Sequence, residues 1–113
     1  MHGLDPAARK CQIVLQLPVS ESTDFDAMID IEDGLTRLLE TQRGVRVDRH
    51  DIGEGKFNVF ILSDQPWQSI LGRIRAYLEF RGVLADAVIA TRPVDGEKYE
   101  VLWPSDYEHA FEL

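Results

Sequence analysis

Cysteine is nearly absent from this sequence, because Cys11 is the only one among 113 residues. A single cysteine forms no intramolecular disulfide and no thiolate metal cluster within one chain, which is typical of proteins in a reducing compartment. No apolar run reaches the roughly 18 to 20 residues that a helix needs to span a bilayer, and no signal peptide stands near the start. We therefore expect a soluble cytoplasmic protein without a metal or other cofactor.

The sequence also lacks a catalytic signature. Residues 53–56, Gly-Glu-Gly-Lys, join two predicted strands, whereas phosphate-binding glycine loops run from a strand into a helix. Residues 53–56 therefore predict a tight turn. No nucleophile elbow surrounds a serine, and no base that would activate a thiol lies next to Cys11. We predict that the protein is not an enzyme; the alternative rests only on scattered aspartate, glutamate and histidine residues.

Basic side chains are few, with 12 lysines and arginines against 20 aspartates and glutamates and a net charge of −8. This balance disfavours nucleic acids and anionic membranes, which attract basic surfaces. It favours a basic protein as the partner. The alternative is that the negative charge only keeps a small domain soluble.

The apolar content, 44% of the residues, is enough for the core of one domain, since domains commonly contain about 100 to 150 residues. The first nine residues show no sustained periodicity. We therefore assign residues 1–11 to a flexible leader and residues 12–113 to a single α+β domain.

Hydrophobic periodicity predicts the first strand and the first helix. Apolar and polar residues alternate over residues 12–17, which indicates a strand. Apolar side chains recur at steps of three and four over residues 24–41, which indicates an amphipathic helix that Thr23 or Asp24 caps. Gly34 within this helix is expected to mark close packing against the sheet.

The centre of the chain predicts a β-hairpin. Residues 45–52 alternate as in a strand that water contacts on one face, while residues 57–62 are apolar on both faces except at Asn58. The strand with two apolar faces is expected to lie inside the sheet.

The last third of the chain predicts a second helix and a short third one. The second helix follows Asp64, a predicted N-cap, and ends before Gly82. Ser105 and Glu108 have the spacing of a capping box, which predicts one or two helical turns at the C-terminus.

Two strands complete the predicted sheet, residues 85–91 and 98–103, with a two-residue hairpin turn at 95–96. The element order β-α-β-β-α-β, followed by a fifth strand and the C-terminal helix, resembles the ferredoxin-like (split βαβ) and ACT-like class over residues 12–91. The resemblance implies an antiparallel sheet of order 5-4-1-3-2 with both helices on one face. ACT-like domains typically have a glycine at the turn between the first strand and the first helix, where it admits an amino-acid ligand. This chain departs from that pattern, since it has Ser-Glu-Ser-Thr at residues 20–23.

Apolar side chains on the predicted third strand point to both faces of the sheet. Phe57, Val59 and Ile61 face opposite to Phe60 and Leu62. Because the helices cover only one face, the other requires a partner, a ligand, a second copy or a segment of the same chain.

Four aromatic residues near the C-terminus recur every four positions, at Tyr99, Trp103, Tyr107 and Phe111. Pro104 disfavours one continuous helix through them. We expect Tyr99 and Trp103 to share a strand face and Tyr107 and Phe111 to share a helical face. Both pairs either fold back onto the second face of the sheet or form a hot spot for a partner.

The first predicted helix has an acidic exterior. Asp26, Asp30 and Asp33 fall at i, i+4 and i+7 and form one outward stripe. The stripe is either a solvated surface or a surface that steers a cationic protein toward this one.

The strand at residues 45–52 contains a pair of potential metal ligands, Asp48 and His50. Regular alternation would project both from one strand face together with Ile52, and Arg49 with Asp51 from the other. Metal sites usually need three or four converging ligands, so we predict an exposed polar pair on an edge strand rather than a metal site.

Two functional hypotheses follow. The first is a protein-binding domain of the immunity or adaptor type that neutralises or regulates a basic partner. Its predicted contacts are Asp26, Asp30, Asp33, Phe60, Leu62, Tyr99, Trp103 and Tyr107. The second is an ACT-like regulatory domain that binds a small molecule and forms a homodimer through the second face of the sheet.

Overall fold

The computed structural model describes residues 10–113 as a five-stranded antiparallel sheet with two α-helices. The strands are β1 Cys11–Pro18, β2 Val45–Gly53, β3 Lys56–Ser63, β4 Val88–Pro93 and β5 Glu100–Trp103. The helices are α1 Phe25–Leu39 and α2 Leu71–Phe80. The leader predicted for residues 1–11 lies outside the described residues as far as position 9, and Cys11 already belongs to β1. Among the described residues, no helix has both the length and the apolar character to cross a membrane.

The sheet has the order β2-β3-β1-β4-β5, which confirms the predicted order. All four neighbouring pairs are antiparallel. The central strand β1 pairs with β3 from Cys11↔Ser63 to Pro18↔Lys56. The strand with two apolar faces, β3, therefore lies inside the sheet as predicted.

The main core lies between the sheet and the two helices. Its buried apolar side chains from the sheet include Ile13, Leu15, Leu17, Phe57, Val59 and Ile61. Those from the helices include Ile31, Leu35, Leu39, Ile74 and Leu78. The helical residues recur every four positions, so each helix buries one stripe, and each fully buried side chain of this kind stabilises the fold by about 1.5 to 3 kcal/mol.

The predicted N-cap of the first helix is confirmed, whereas the predicted N-cap of the second helix is not. Asp24 caps α1, because its side chain accepts hydrogen bonds from the backbone N–H groups of Asp26 at 2.9 Å and Ala27 at 3.4 Å. The prediction that Asp64 caps the second helix is wrong. Asp64 lies too early to cap α2, because its backbone N–H donates to the carbonyl oxygen of Gly44. A 3₁₀ turn, Trp67–Ser69, then precedes α2.

Two predictions about the end of the chain are also wrong. The segment that follows β5, residues 104–113, contains no helix, although Ser105 and Glu108 have capping-box spacing. The turn after β4 is wider than two residues, because β4 ends at Pro93 and β5 begins at Glu100. Arg92 holds this loop, since its Nη1 donates to three carbonyl oxygens within residues 93–96.

Candidate functional site

The face of the sheet opposite the helices is largely buried. We call it the second face; it is formed by Gln12, Val14, Gln16, Asn58, Phe60, Leu62 and Ala90, which the strand pairing places side by side. Six of the seven are buried, and only Leu62 is partly exposed. The second face therefore already has a cover within this chain.

The cover is in part the C-terminal tail, residues 104–113. The side-chain amide of Gln16 donates to the carbonyl oxygen of Glu112 at 2.8 Å, and the Lys56 ammonium donates to the same oxygen at 2.9 Å. The Phe111 ring centroid lies 5.1 Å from that of Tyr99. These contacts carry the tail across the sheet, which explains why it is not helical: its Glu112 carbonyl binds side chains of β1 and β3, and its Phe111 ring packs on Tyr99.

Buried polar side chains on the second face satisfy one another. Tyr99 donates a hydrogen bond from its hydroxyl to the Gln12 side-chain carbonyl. The Gln16 amide nitrogen donates to Asn58 Oδ1 at 3.0 Å, and Asn58 Nδ2 donates to Asp51 Oδ1 at 3.0 Å. Among the described residues, no buried side-chain nitrogen or oxygen lacks a partner. The second face thus resembles a domain interior rather than an open apolar patch.

Phe60 and Leu62, two of the predicted contact residues, differ in accessibility. Phe60 is 1% exposed, and the guanidinium of Arg49 lies 4.0 Å from its ring centroid. Leu62 is partly exposed and lines an open cavity of about 510 Å³ with Arg46 and Val94 among its neighbours. Of the two, only Leu62 has surface that a partner can reach.

The predicted aromatic pairs do not share faces. Tyr99 lies on the second face, whereas Trp103 packs on the helical side, where its indole N–H donates to the Leu84 carbonyl at 3.1 Å. The pairing of β4 with β5 shifts register between Ile89 and Ala90, which accounts for the difference. Tyr107 is partly exposed in a non-helical tail, so the predicted helical face does not form.

A β-bulge in β2 separates Asp48 from His50. The pairing with β3 shifts between Val47 and Arg49, which places one extra residue, Asp48, in β2. Asp48 forms an ion pair with Arg46 at 3.0 Å. The prediction that Asp48 and His50 project together is therefore wrong.

His50 turns toward α1 instead. Its Nδ1 lies 2.8 Å from Glu32 Oε1, and its ring lies 5.2 Å from the Phe57 ring between centroids. Within residues 10–113, no group of three or more histidine, cysteine, aspartate or glutamate side chains converges to hold a metal ion.

The acidic stripe of α1 is present as expected from its spacing. Asp26, Asp30 and Asp33 are all exposed. None of the three forms an ion pair with another residue of the described segment, where the four ion pairs involve other carboxylates. The stripe therefore presents three negative charges to solvent.

The second helix runs antiparallel to the first beside this stripe. Near the start of α2, Arg73 donates to the Leu38 carbonyl at 3.5 Å. One turn later, the Tyr77 hydroxyl donates to the Ile31 carbonyl at 2.9 Å. As α2 advances, its contacts move back along α1, so the C-terminal end of α2 lies level with the first turns of α1.

An exposed aromatic side chain, Phe80, stands at this end of α2 with 85% of its surface accessible. It follows Arg73, whose guanidinium contacts α1, by seven residues, so the two side chains leave α2 on the same side. We call Asp26, Asp30, Asp33 and Phe80 the acidic-aromatic patch. The sequence contained a signal for Phe80, because a position two residues after Leu78 falls off the buried helical stripe.

A second cavity lies at the opposite end of α2, where several basic side chains converge. We call it the cationic cleft; it has a volume of about 360 Å³ and is lined by Lys10, Cys11, Pro66, Trp67, Gln68, Thr91, Arg92, Pro93, Lys98 and Glu100. Periodicity did not predict it, because four separated segments of the chain contribute to its walls.

The cleft also contains the only cysteine of the chain. Cys11 is 6% exposed, and its thiol lies 3.6 Å from the carbonyl oxygen of Gln65. Burial raises the pKa of this thiol above its ordinary value, so the group stays protonated near neutral pH and is a poor nucleophile there.

Comparison with known proteins provided no further guide to these sites. No protein-family model, no curated protein and no solved structure matches this chain.

Proposed function

We propose that this protein is a small acidic protein-binding domain, of the immunity or adaptor type, that neutralises or regulates a basic partner through the acidic-aromatic patch. A ferredoxin-like framework is part of the proposal, and the element order and the sheet order support it. The immunity or adaptor role is an analogy based on size, charge and cysteine content.

The observation that carries the proposal is the pairing of unneutralised charge with an exposed ring. Asp26, Asp30 and Asp33 form no ion pair with a described residue, and Phe80, at the C-terminal end of the neighbouring helix, is 85% exposed. Exposed charges of one sign accelerate encounter with an oppositely charged protein. A buried aromatic ring at the centre of an interface slows dissociation. The patch contains both elements.

The remaining predicted contacts have a smaller role in this proposal. Phe60 and Tyr99 belong to the covered second face, and Trp103 packs against the helical layer. Leu62 and Tyr107 are partly exposed and lie apart from α1. We therefore propose the patch on the helices, rather than the sheet, as the contact surface.

The ACT-like dimer has less support. Its two-fold interface would use the second face, where Gln16 and Lys56 already bind the carbonyl of Glu112. A second copy would have to displace the tail and leave these donors to find other partners, which costs free energy unless the new interface replaces the hydrogen bonds.

The test begins with identification of the partner by site-specific cross-linking. A photoreactive phenylalanine analogue at position 80 is expected to cross-link a protein with a basic surface in cells that produce both proteins. The same analogue at Val94, which is 48% exposed at a distant loop, serves as the control. Cross-links of equal yield to the same proteins at both positions would contradict the proposal.

The second stage measures binding kinetics with the purified partner. Neutralising Asp26, Asp30 and Asp33 to asparagine is expected to lower the association rate constant by about tenfold or more at low salt and to flatten its salt dependence. The matched control neutralises Asp95, Glu97 and Asp106, which changes the net charge equally. Equal loss in both triple variants would show that net charge, and not the patch, governs binding.

Phe80→Ala tests the anchor separately. It is expected to raise the dissociation rate constant while the association rate changes little, because the ring contributes contact area rather than charge. The fold should be unaffected, since the ring is exposed. An unchanged dissociation rate would remove Phe80 from the interface.

A further inference from the structure

Three basic side chains gather at one end of a protein that carries a net charge of −8. Lys10, Arg92 and Lys98 line the cationic cleft, and they come from the residue before β1, the end of β4 and the loop that leads to β5. This concentration of positive charge contrasts with the overall charge of the molecule.

Arg92 fixes the wall that carries Lys98. Its Nη1 donates to the carbonyl oxygens of Pro93 at 3.2 Å, Val94 at 3.0 Å and Gly96 at 2.9 Å. These bonds hold the loop against the end of the sheet. Lys98 forms no ion pair with a described residue, so its ammonium remains available to a ligand.

The acidic groups near the cleft only partly neutralise these cations. Asp64 lies 3.6 Å from the Lys10 ammonium, and Glu100 is among the lining residues. Among the lining residues, three cations stand against one carboxylate, and the pairing of Lys10 with Asp64 reduces this excess to one positive charge. The cleft therefore suits an anion of low charge.

Apolar rings also line the cleft, beside the polar side chains of Gln68 and Thr91. Trp67 supplies an indole, and Pro66 and Pro93 supply rings without charge. The volume of about 360 Å³ lies at the lower end of the range of roughly 300 to 1,000 Å³ for small-molecule pockets. An aromatic wall next to a charged rim favours ligands with a planar body and a charged head.

We propose that the cationic cleft binds a small organic anion, with a carboxylate or phosphate head at Lys98 and Lys10 and a flat apolar body against Trp67. The site lies at the N-terminal end of α2, whereas the acidic-aromatic patch lies at its C-terminal end. Failure of the proposed protein-binding function would therefore leave this proposal unaffected, and the reverse also holds.

The test is a titration of the ¹⁵N-labelled protein with three probes, followed by NMR. Phenyl phosphate offers both a head and a flat body, inorganic phosphate offers only the head, and benzyl alcohol offers only the flat body. Phenyl phosphate is expected to shift the amides of Lys10, Cys11, Thr91 and Lys98 and the indole N–H of Trp67. It should bind about tenfold more tightly than either partial probe, since each lacks one set of contacts.

Variants separate the cleft from general attraction to basic side chains. Lys98→Gln is expected to weaken phenyl phosphate by about tenfold, which corresponds to loss of one charge-assisted hydrogen bond. Arg37→Gln, at an exposed cation on α1, is the matched control and should change nothing. Trp67→Leu should remove the advantage of phenyl phosphate over inorganic phosphate.

The cysteine gives a second readout that needs no variant. Because Cys11 lines the cleft, phenyl phosphate should slow its alkylation by iodoacetamide at pH 8.5, and benzyl alcohol at the same concentration should not. The proposal is overturned if phenyl phosphate binds no better than inorganic phosphate, if its shifts scatter over the surface, or if Lys98→Gln and Arg37→Gln behave alike.

Discussion

Tyr77 of α2 occupies the space that a side chain at Gly34 of α1 would need. Its ring lies against α1 there, and its hydroxyl donates to the Ile31 carbonyl at 2.9 Å. We expected Gly34 to allow close packing against the sheet, but the close approach is to the neighbouring helix. The glycine therefore sets the contact between the two helices that carry the acidic-aromatic patch.

We predict that Gly34→Ala lowers the free energy of unfolding by about 1 to 3 kcal/mol, because the new methyl group overlaps the Tyr77 hydroxyl and forces the ring to move. The cost of the overlap therefore outweighs the roughly 1 kcal/mol by which alanine usually stabilises a helix relative to glycine. Urea denaturation followed by far-UV circular dichroism measures the change.

Gly72→Ala is the matched control. Gly72 lies in the first turn of α2, and no atom lies within contact distance of a methyl group there. Alanine at this position should raise the free energy of unfolding by a few tenths to about 1 kcal/mol. If both glycine variants shift stability in the same direction by the same amount, the Gly34 contact with Tyr77 has no energetic role.

Arg49 and Arg46 form a second matched pair, because each has an acidic partner two residues later on β2. Arg46 lies 3.0 Å from Asp48, and Arg49 lies 3.8 Å from Asp51. Only Arg49 also covers an aromatic ring, that of Phe60 at 4.0 Å.

We predict that Arg49→Ala lowers the free energy of unfolding by about 1 kcal/mol through loss of the cation–π contact and exposure of the ring. Arg46→Ala should cost at most about 0.5 kcal/mol, as is usual for an exposed ion pair. Chemical denaturation measures both, and binding of a hydrophobic dye should increase only for Arg49→Ala. Equal effects would mean that Arg49 does not shield Phe60.

The tail provides a third pair of neighbouring positions, Phe111 and Glu112. Phe111 is partly buried against Tyr99, so Phe111→Ala should lower the free energy of unfolding by about 1 to 1.5 kcal/mol. Glu112 binds Gln16 and Lys56 through its backbone carbonyl, which Glu112→Ala retains, so that variant should be nearly neutral. Thermal unfolding of the two variants in parallel tests the prediction; a neutral Phe111→Ala would contradict attachment of the tail through its ring.

Much of the sheet could be predicted because short runs of residues show which strand faces are buried. Apolar character on both faces of residues 57–62 predicted one inner strand. The central place of residues 12–17 came instead from the resemblance to the ferredoxin-like class. With two helical stripes of similar length, few arrangements bury every apolar face, and the observed order is among them. Local patterns therefore predicted the elements, and the resemblance in element order predicted how the strands are arranged.

Local patterns failed where one residue or one tertiary contact decides the geometry. The extra residue Asp48 changes which side chains share a face of β2, and a polar edge strand gives little periodicity that would reveal it. Ser105 and Glu108 have a helical spacing, but the contacts of Phe111 and Glu112 with the sheet override it.

The candidate sites differ in the same way: one could be predicted from a single element, and the others depend on tertiary packing. The stripe of Asp26, Asp30 and Asp33 followed from spacing on one helix, since all three lie on a single element. The cationic cleft required four segments to meet, and the placement of the Phe80 end of α2 level with the first turns of α1 required the antiparallel packing of two helices. Neither relationship is contained in the periodicity of any one element.

The buried thiol of Cys11 predicts a dependence of stability on pH. Burial raises its pKa in the folded protein above the value of about 8.5 for an unfolded chain. Below pH about 8.5 the thiol is protonated in both states and has no effect. Above this pH the unfolded chain loses the proton while the folded protein retains it, so the free energy of unfolding falls as the pH rises.

We therefore predict that the difference in unfolding free energy between the wild-type protein and Cys11→Ala decreases from pH 8 to pH 10. Other titrating groups are common to both proteins, so the difference isolates the thiol. Urea denaturation at four pH values measures it, and alkylation of the folded protein should reach half its maximal rate at a higher pH than alkylation of the urea-unfolded chain. A difference that stays constant or grows with pH would mean that Cys11 ionises as readily in the folded protein as in the unfolded chain.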